Sequence, residues 1–146
     1  MIAVVQRVQK ASVTSPDQSA QTGPGYLVLL GVGKDDTKED AQKLAEKIIK
    51  LRLMADSQKK MNLSLSDANG ELLVVSQFTL YADTSQGNRP SFLPAASADK
   101  AEKLYNYFVE VCKKDISTKT GVFGAYMDVL LINNAPVTVI IDSKDL

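Results

Sequence analysis

Tyr26-Leu27-Val28-Leu29-Leu30-Gly31-Val32 is the stretch from which the fold is read. It is apolar apart from Gly31 and of strand length, which predicts a strand buried on both faces. Shortly after it, Lys38–Lys50 sets Ala41, Leu44, Ala45 and Ile48 at the i, i+3, i+4, i+7 spacing of one helix face. Thr37 with Asp40 three residues on resembles a capping box in which Asp replaces the usual Glu, and Glu39 and Asp40 suit the positive end of a helix. A buried strand followed by an amphipathic helix calls for a sheet with helices layered against it.

Reading outward, Ile2–Val8 begins with β-branched residues and predicts a strand, which Ser12–Thr14 continues after a bend. Pro16-Asp17 and Gly23-Pro24-Gly25 mark turns. Downstream, Leu51–Ala55 predicts a short strand, and Asp67-Ala68-Asn69-Gly70 is a turn before Glu71–Leu80, a strand centred on Leu72-Leu73-Val74-Val75. Residues 82–96 hold Gly87, Pro90 and Pro94 and few periodic apolar residues, so they predict a loop long enough to be functional. A second helix follows with Ser97 as N-cap and Ala101, Leu104, Tyr105, Phe108 and Cys112 on its buried side. Gly121–Ala125, Met127–Ile132 and Val137–Ile141 read as closing strands, the last two joined by Asn133-Asn134-Ala135-Pro136. The expectation is one α/β domain over residues 1–146, a mixed sheet of six or seven strands packed with two helices rather than an all-parallel arrangement.

Composition narrows the chemistry. The chain has 146 residues, 45% hydrophobic, with 17 basic and 17 acidic side chains, one cysteine, no histidine and no tryptophan. Without histidine there is no Ser-His-Asp triad, imidazole shuttle or His-ligated metal. One cysteine permits no internal disulfide and no all-cysteine metal site. Catalysis must therefore use carboxylates, hydroxyls, amides, Lys, Arg, the backbone or the substrate itself, with no metal and no cofactor expected. Zero net charge argues against a broad basic coating for nucleic acid, although a few local cations suffice to hold one end of an RNA. No apolar run exceeds five residues and the first residues lack a basic head, so the sequence predicts no membrane span, no signal peptide and a cytoplasmic setting.

Most candidate sites read more simply as structure. Gly31-Val32-Gly33-Lys34 lacks the spacing of a phosphate loop, since Asp35 follows the lysine. Cys112 lies on an apolar helix face, and the mixed-sign run Lys34–Asp40 reads as a solvated helix start. Asp56, Asp67, Asp83 and Asp128 stand beside turn or strand-end signals, where Asp caps backbone amides. Two segments stand apart. Ser76-Gln77-Phe78-Thr79-Leu80 places polar groups directly after an apolar strand centre; as a strand, Ser76, Phe78 and Leu80 would share one face. Asn133-Asn134-Ala135-Pro136-Val137-Thr138 carries a proline in a tight connection, which allows a cis bond and restricts Ala135 to an extended conformation.

At these segments the sequence closely resembles the D-aminoacyl-tRNA deacylases. The likeness runs along essentially the whole chain, through Met1–Val8, Lys60-Met61-Asn62, Ser76–Leu80, Arg89-Pro90-Ser91-Phe92 and Gly121–Met127. The family's second motif is Asn-x-Gly-Pro-x-Thr, matched here by Asn133, Ala135, Pro136 and Thr138, with Ala135 in the glycine's place. The resemblance implies a sheet-and-helix fold, barrel-like when dimerised, and hydrolysis of D-aminoacyl-tRNA, with Gly-tRNA mischarged on tRNA(Ala) as a further substrate. It implies a homodimer whose site is shared across subunits and takes the tRNA 3′ end. Ser76, Gln77, Phe78 and Thr79 would carry catalysis through the backbone amides around Phe78 and Thr79 and the 2′-hydroxyl of the terminal adenosine, with a Thr79 nucleophile as the second option. Ala135 and Pro136, through a cis bond and held by Arg7, would wall off L-amino acids in the partner's site. Phe123, Ala125 and Met127 would line the site. For Arg7 a surface charge at a strand edge stays open as the alternative. For the whole chain the alternative is a catalytically impaired relative that binds an RNA end or nucleotide, because alanine adds a Cβ and loses glycine's access to positive φ.

Overall fold

Alternation along the first strand organises the molecule. The computed structural model describes residues 1–146. β1 (Ile2–Thr14) turns Ala3 and Val5 to one face of the sheet and Val8, Ala11 and Val13 to the other. Strict period-2 alternation would put Ala11 and Val13 on the first face. Gln9 is the extra residue that prevents this: Val8 and Lys10 pair with the consecutive residues Asn133 and Ile132, so a bulge at Gln9 reverses the side-chain parity. β1 therefore runs unbroken through Ser12–Thr14, and a bulge takes the place of the expected bend.

β2 (Ser19–Thr22) and β3 (Gly25–Gly31) pair antiparallel with successive halves of one edge of β1. The other edge of β1 is paired along its length by β8 (Asp128–Asp142). Beyond β3 the sheet becomes parallel, through β6 (Glu71–Ser76) and β7 (Thr118–Thr120). A small separate hairpin holds β4 (Met54–Ala55) and β5 (Met61–Leu63). α1 (Lys38–Lys50) and α2 (Ala98–Lys113) pack on the face carrying Ala3, Val5, Tyr26, Val28, Leu72 and Val74. The opposite face, with Leu27, Leu73 and Val75, closes against Val129 and Leu131 of β8 as the sheet curls into a nearly closed, barrel-like form. The mixed α/β architecture is as expected, and no helix is long and apolar enough to cross a membrane.

Local chemistry explains the helix boundaries. Thr37 and Asp40 form the reciprocal capping box, and Ala41, Leu44, Ala45, Ile48 and Ile49 are the buried stripe of α1. Asp56, Asp67 and Asp83 accept bonds from nearby backbone amides, as their turn positions suggested.

Several expectations are corrected. β6 ends at Ser76, and Phe78–Tyr81 form a 3-10 turn instead of continuing the strand to Leu80. Gly121–Ala125 is turn rather than strand, and the short strand before it is β7. The segments expected as two strands around Asn133–Pro136 are one strand, because both halves pair with β1 and the chain never reverses. Arg7 alone on β1 faces residues 134–137 of β8, which bow outward there. The Ala135–Pro136 bond is trans, and Ala135 lies at φ +91° rather than extended. With four residues available for the excursion, the left-handed bend at Ala135 supplies the change of direction. Asp36, expected in a solvated run, is only 3% exposed and ion-paired to the Met1 ammonium at 2.8 Å.

Candidate active site

Three parallel strands end on the same side of the sheet, and the segments leaving them converge there. Val32 follows β3, Gln77 and Phe78 follow β6, and Phe123–Met127 follow β7. Such carboxyl edges of parallel strands are where ligands collect in open α/β sheets. With Ala96 just ahead of α2, and Ala98 and Ala101 in its first turn, they surround a cavity of about 760 Å³. Gly121 makes room at its wall, since a Cβ there would meet the Met127 Sδ at 2.5 Å.

At the mouth, the Gln77 amide closes the pairing to β3 by donating to the Leu30 carbonyl at 2.8 Å. The 3-10 turn starts immediately, with Leu80 N–H donating to Gln77 O at 3.3 Å and Ala82 N–H to Thr79 O at 3.1 Å. The first amides of any helical turn lack a carbonyl behind them. Here those amides belong to Phe78 and Thr79, and no side chain caps the turn. The Gln77 side-chain amide donates to the Thr79 hydroxyl, fixing both groups beside the opening. The exposed Phe78 ring packs edge-on against Phe92, centroids 5.0 Å apart.

Most of the cavity lining is apolar, with Ser76 and Gln77 among its polar side chains, and no carboxylate, lysine or arginine is among them. Thr79 is exposed, outside the lining, and no base contacts its hydroxyl. Nowhere do three or more acidic or cysteine side chains gather in a way that could hold a metal ion. Burial pushes the Cys112 thiol up to about 12, and it is sequestered in the core of α2. The arrangement leaves two unpaired N–H donors at the mouth of a weakly polar recess, a setting in which such donors can stabilise developing negative charge better than in water.

Of the residues singled out in the sequence, the cavity unites Ser76, Gln77, Phe78, Phe123, Ala125 and Met127. Arg7, Ala135 and Pro136 are not in its wall. Arg7 is no surface charge: it is 7% exposed, donating through Nη1 to Leu53 O at 2.6 Å and through Nε to Asn134 O at 3.4 Å. It thereby ties the outward bow of β8 to the body of its own chain. Ala135 and Pro136 are exposed at the tip of that bow. Sequence reasoning missed the apolar floor of Val32, Ala96, Ala98 and Val129. Nothing in those small side chains signals a site; only the convergence of chain segments does.

Comparison with known proteins agrees with this architecture. The family model described as D-Tyr-tRNA(Tyr) deacylase matches residues 4–142. The D-aminoacyl-tRNA deacylase of Thermosipho africanus is 55% identical over 99% of this chain and 98% of its own. That of Clostridium acetobutylicum is 52% identical with the same coverage. Among solved structures, the c-Myc DNA Unwinding Element Binding Protein superposes with a TM-score of 0.90 at 40% identity, covering 97% of this chain and 98% of that one. A probable eukaryotic D-amino acid tRNA deacylase superposes at 0.83 over the same shares with 16% identity, a likeness of fold.

Proposed function

The chain belongs to the D-Tyr-tRNA(Tyr) deacylase family, and from that premise we propose how it acts as a D-aminoacyl-tRNA deacylase, an aminoacyl ester hydrolase that releases the free D-amino acid and tRNA. The observation that carries the mechanism is the pair of unpaired amides, Phe78 and Thr79, at the mouth of a cavity without ionised side chains. An aminoacyl ester is already reactive, so positioning and oxyanion stabilisation suffice without a strong protein nucleophile. Water adds to the ester carbonyl, whose oxygen gains charge facing the two amides. The intermediate then expels the ribose oxygen, which takes the proton given up by the attacking water. The neighbouring 2′-hydroxyl of the terminal adenosine is the group placed to relay it. Ser76 and Gln77 shape the turn, and Phe123, Ala125 and Met127 contact the substrate. Thr79 contributes its amide rather than its hydroxyl, since no base is available to activate the latter.

Residues 1–146 act as one domain within a homodimer in the cytoplasm, the compartment such a substrate implies. Ala135 and Pro136 are exposed, outside their own cavity and anchored by Arg7, which suits a wall inserted into the partner's site. A stiff main-chain wall rejects L-amino acids by collision and needs no side-chain pocket, so different D-amino acids, and glycine on tRNA(Ala), are accepted. The test is release of D-tyrosine from D-Tyr-tRNA against an L-Tyr-tRNA control; release no faster than in buffer overturns the activity. Dilution to monomers should abolish turnover, and an active monomer overturns the shared site.

A second reading is favoured by one observation, the positive φ of Ala135. It is an impaired relative that binds the RNA end without cleaving it. An inert natural chain together with an active Ala135→Gly variant would establish that reading; an active natural chain would dismiss it.

A further inference from the structure

At the far end of the 3-10 turn, where Tyr81 closes it, lies a buried polar cluster that the mechanism above does not use. Asp36 is almost fully enclosed. Its Oδ1 meets the Met1 ammonium at 2.8 Å, and its Oδ2 accepts the Gly33 amide at 2.6 Å and the Tyr81 hydroxyl at 3.1 Å. The ammonium also donates to Ser143 Oγ, which in turn donates to Asp40 at 2.9 Å. Tyr81 is the last residue of the turn whose first residue is Phe78. Its ring lies flat over Gly33, where a Cβ would come within 2.8 Å of Cζ and Oη. Glycine is required there by close approach.

We infer that Tyr81 and Asp36 form a positioning pair that sets the orientation of the Phe78 and Thr79 amides. The inference deepens the reading of those amides as the oxyanion donors and rests on it. Of the side chains in residues 77–81, only Tyr81 makes a hydrogen bond outside the segment. The segment's other ties to the sheet are the Gln77 amide on Leu30 and van der Waals packing against Gly31. A four-residue turn pinned at both ends has its amide vectors fixed; freed at Tyr81, it can rotate about the Gln77 anchor. Burial, with the Asp36 charge beside it, pushes the phenol upward from its ordinary range, so Tyr81 remains the donor to Asp36. Both act through the turn and touch no substrate, so they are positioning residues. A misplacement of oxyanion donors by a fraction of an ångström to 1 Å typically costs up to about 100-fold in rate.

The test is Tyr81→Phe, which keeps the ring over Gly33 and removes only the hydroxyl, measured on D-Tyr-tRNA and by amide NMR on the intact chain. The expected result is kcat lower by roughly 10- to 100-fold with KM within about twofold, and shifts confined to the amides of residues 77–82 and of Gly33 and Asp36. Gly33→Ala, which keeps every group of the pair but pushes the ring away, should reproduce the kcat loss. An unchanged kcat with unmoved Phe78 and Thr79 amides overturns the pair. So does a loss accompanied by shifts throughout β1 and α1, which marks a merely structural role. If the natural chain itself fails to hydrolyse D-Tyr-tRNA, the oxyanion reading falls, while the amide shifts of Tyr81→Phe still decide whether the pair orients the turn.

Discussion

Ala135 holds a backbone conformation in which an L side chain is strained, at the tip of the bow in β8. A non-glycine residue in such a region costs on the order of 1–3 kcal/mol. Glycine removes that strain but loses up to about 1 kcal/mol through the freer unfolded chain. Ala135 is exposed, so no packing is forfeited. Ala135→Gly should therefore raise stability by about 1 kcal/mol, seen as a higher urea midpoint at constant slope; an equal or lower midpoint contradicts the strain. Single residues were legible in the sequence only where chemistry is local. The turn-capping aspartates could be assigned from their neighbours. Asp36 could not, because its partners are Met1 and Tyr81, remote in sequence, and an aspartate in a mixed charge run is ordinarily solvated. Ser76–Thr79 stood out as polar groups directly after an apolar strand centre, whereas alternation misplaced Phe78 and Thr79 because the strand stops at Ser76.

Among the elements, α1 shows how a cap couples stability to pH. Hydrogen bonding from the Thr37 hydroxyl, ahead of smaller contributions from the Thr37 amide, Ser143 and the Met1 ammonium, draws the Asp40 carboxyl down from 3.8 to about 2. A depressed carboxylate contributes stability that is present above its unfolded value and fades as pH falls through the folded one. Asp40→Asn should thus be less stable by about 1 kcal/mol at pH 6, with the gap closing between pH 4 and about 2. Urea midpoints at pH 6 and pH 2.5 check this, and a gap that stays constant refutes it. Both helices were legible because their periodicity is continuous. β1 was only half legible: the bulge at Gln9 depends on how β8 pairs with it, and no pattern within β1 announces where the parity reverses.

For the whole molecule, the mixed sheet packed with helices followed from the order of elements, but its connectivity, and the gathering of both helices on one face, did not. Sequence periodicity contains no sign that one strand serves three partners or that β3, β6 and β7 run parallel. It is this parallel portion that gathers the cavity. β8, at the sheet's edge, leaves Leu130 and Ile140 exposed by 72% and 71%. In the proposed dimer the second subunit covers these two apolar side chains, which pair with opposite ends of β1 at Ser12 and Val4 and do not form one patch. Leu130→Lys combined with Ile140→Lys should shift the protein to monomers in sedimentation and reduce turnover of D-Tyr-tRNA by at least about tenfold. A stable, fully active dimer would place the interface elsewhere.

The pairing of Ile2 with Asp142 and of Thr14 with Asp128 also bears on biosynthesis. β1 emerges from the ribosome before the other strands, but one of its edges waits for β8, synthesised after them all. Throughout elongation the nascent chain carries an unpaired, β-branched edge of the kind that invites illegitimate strand pairing. That edge stays open to such pairing until β8 zips into place.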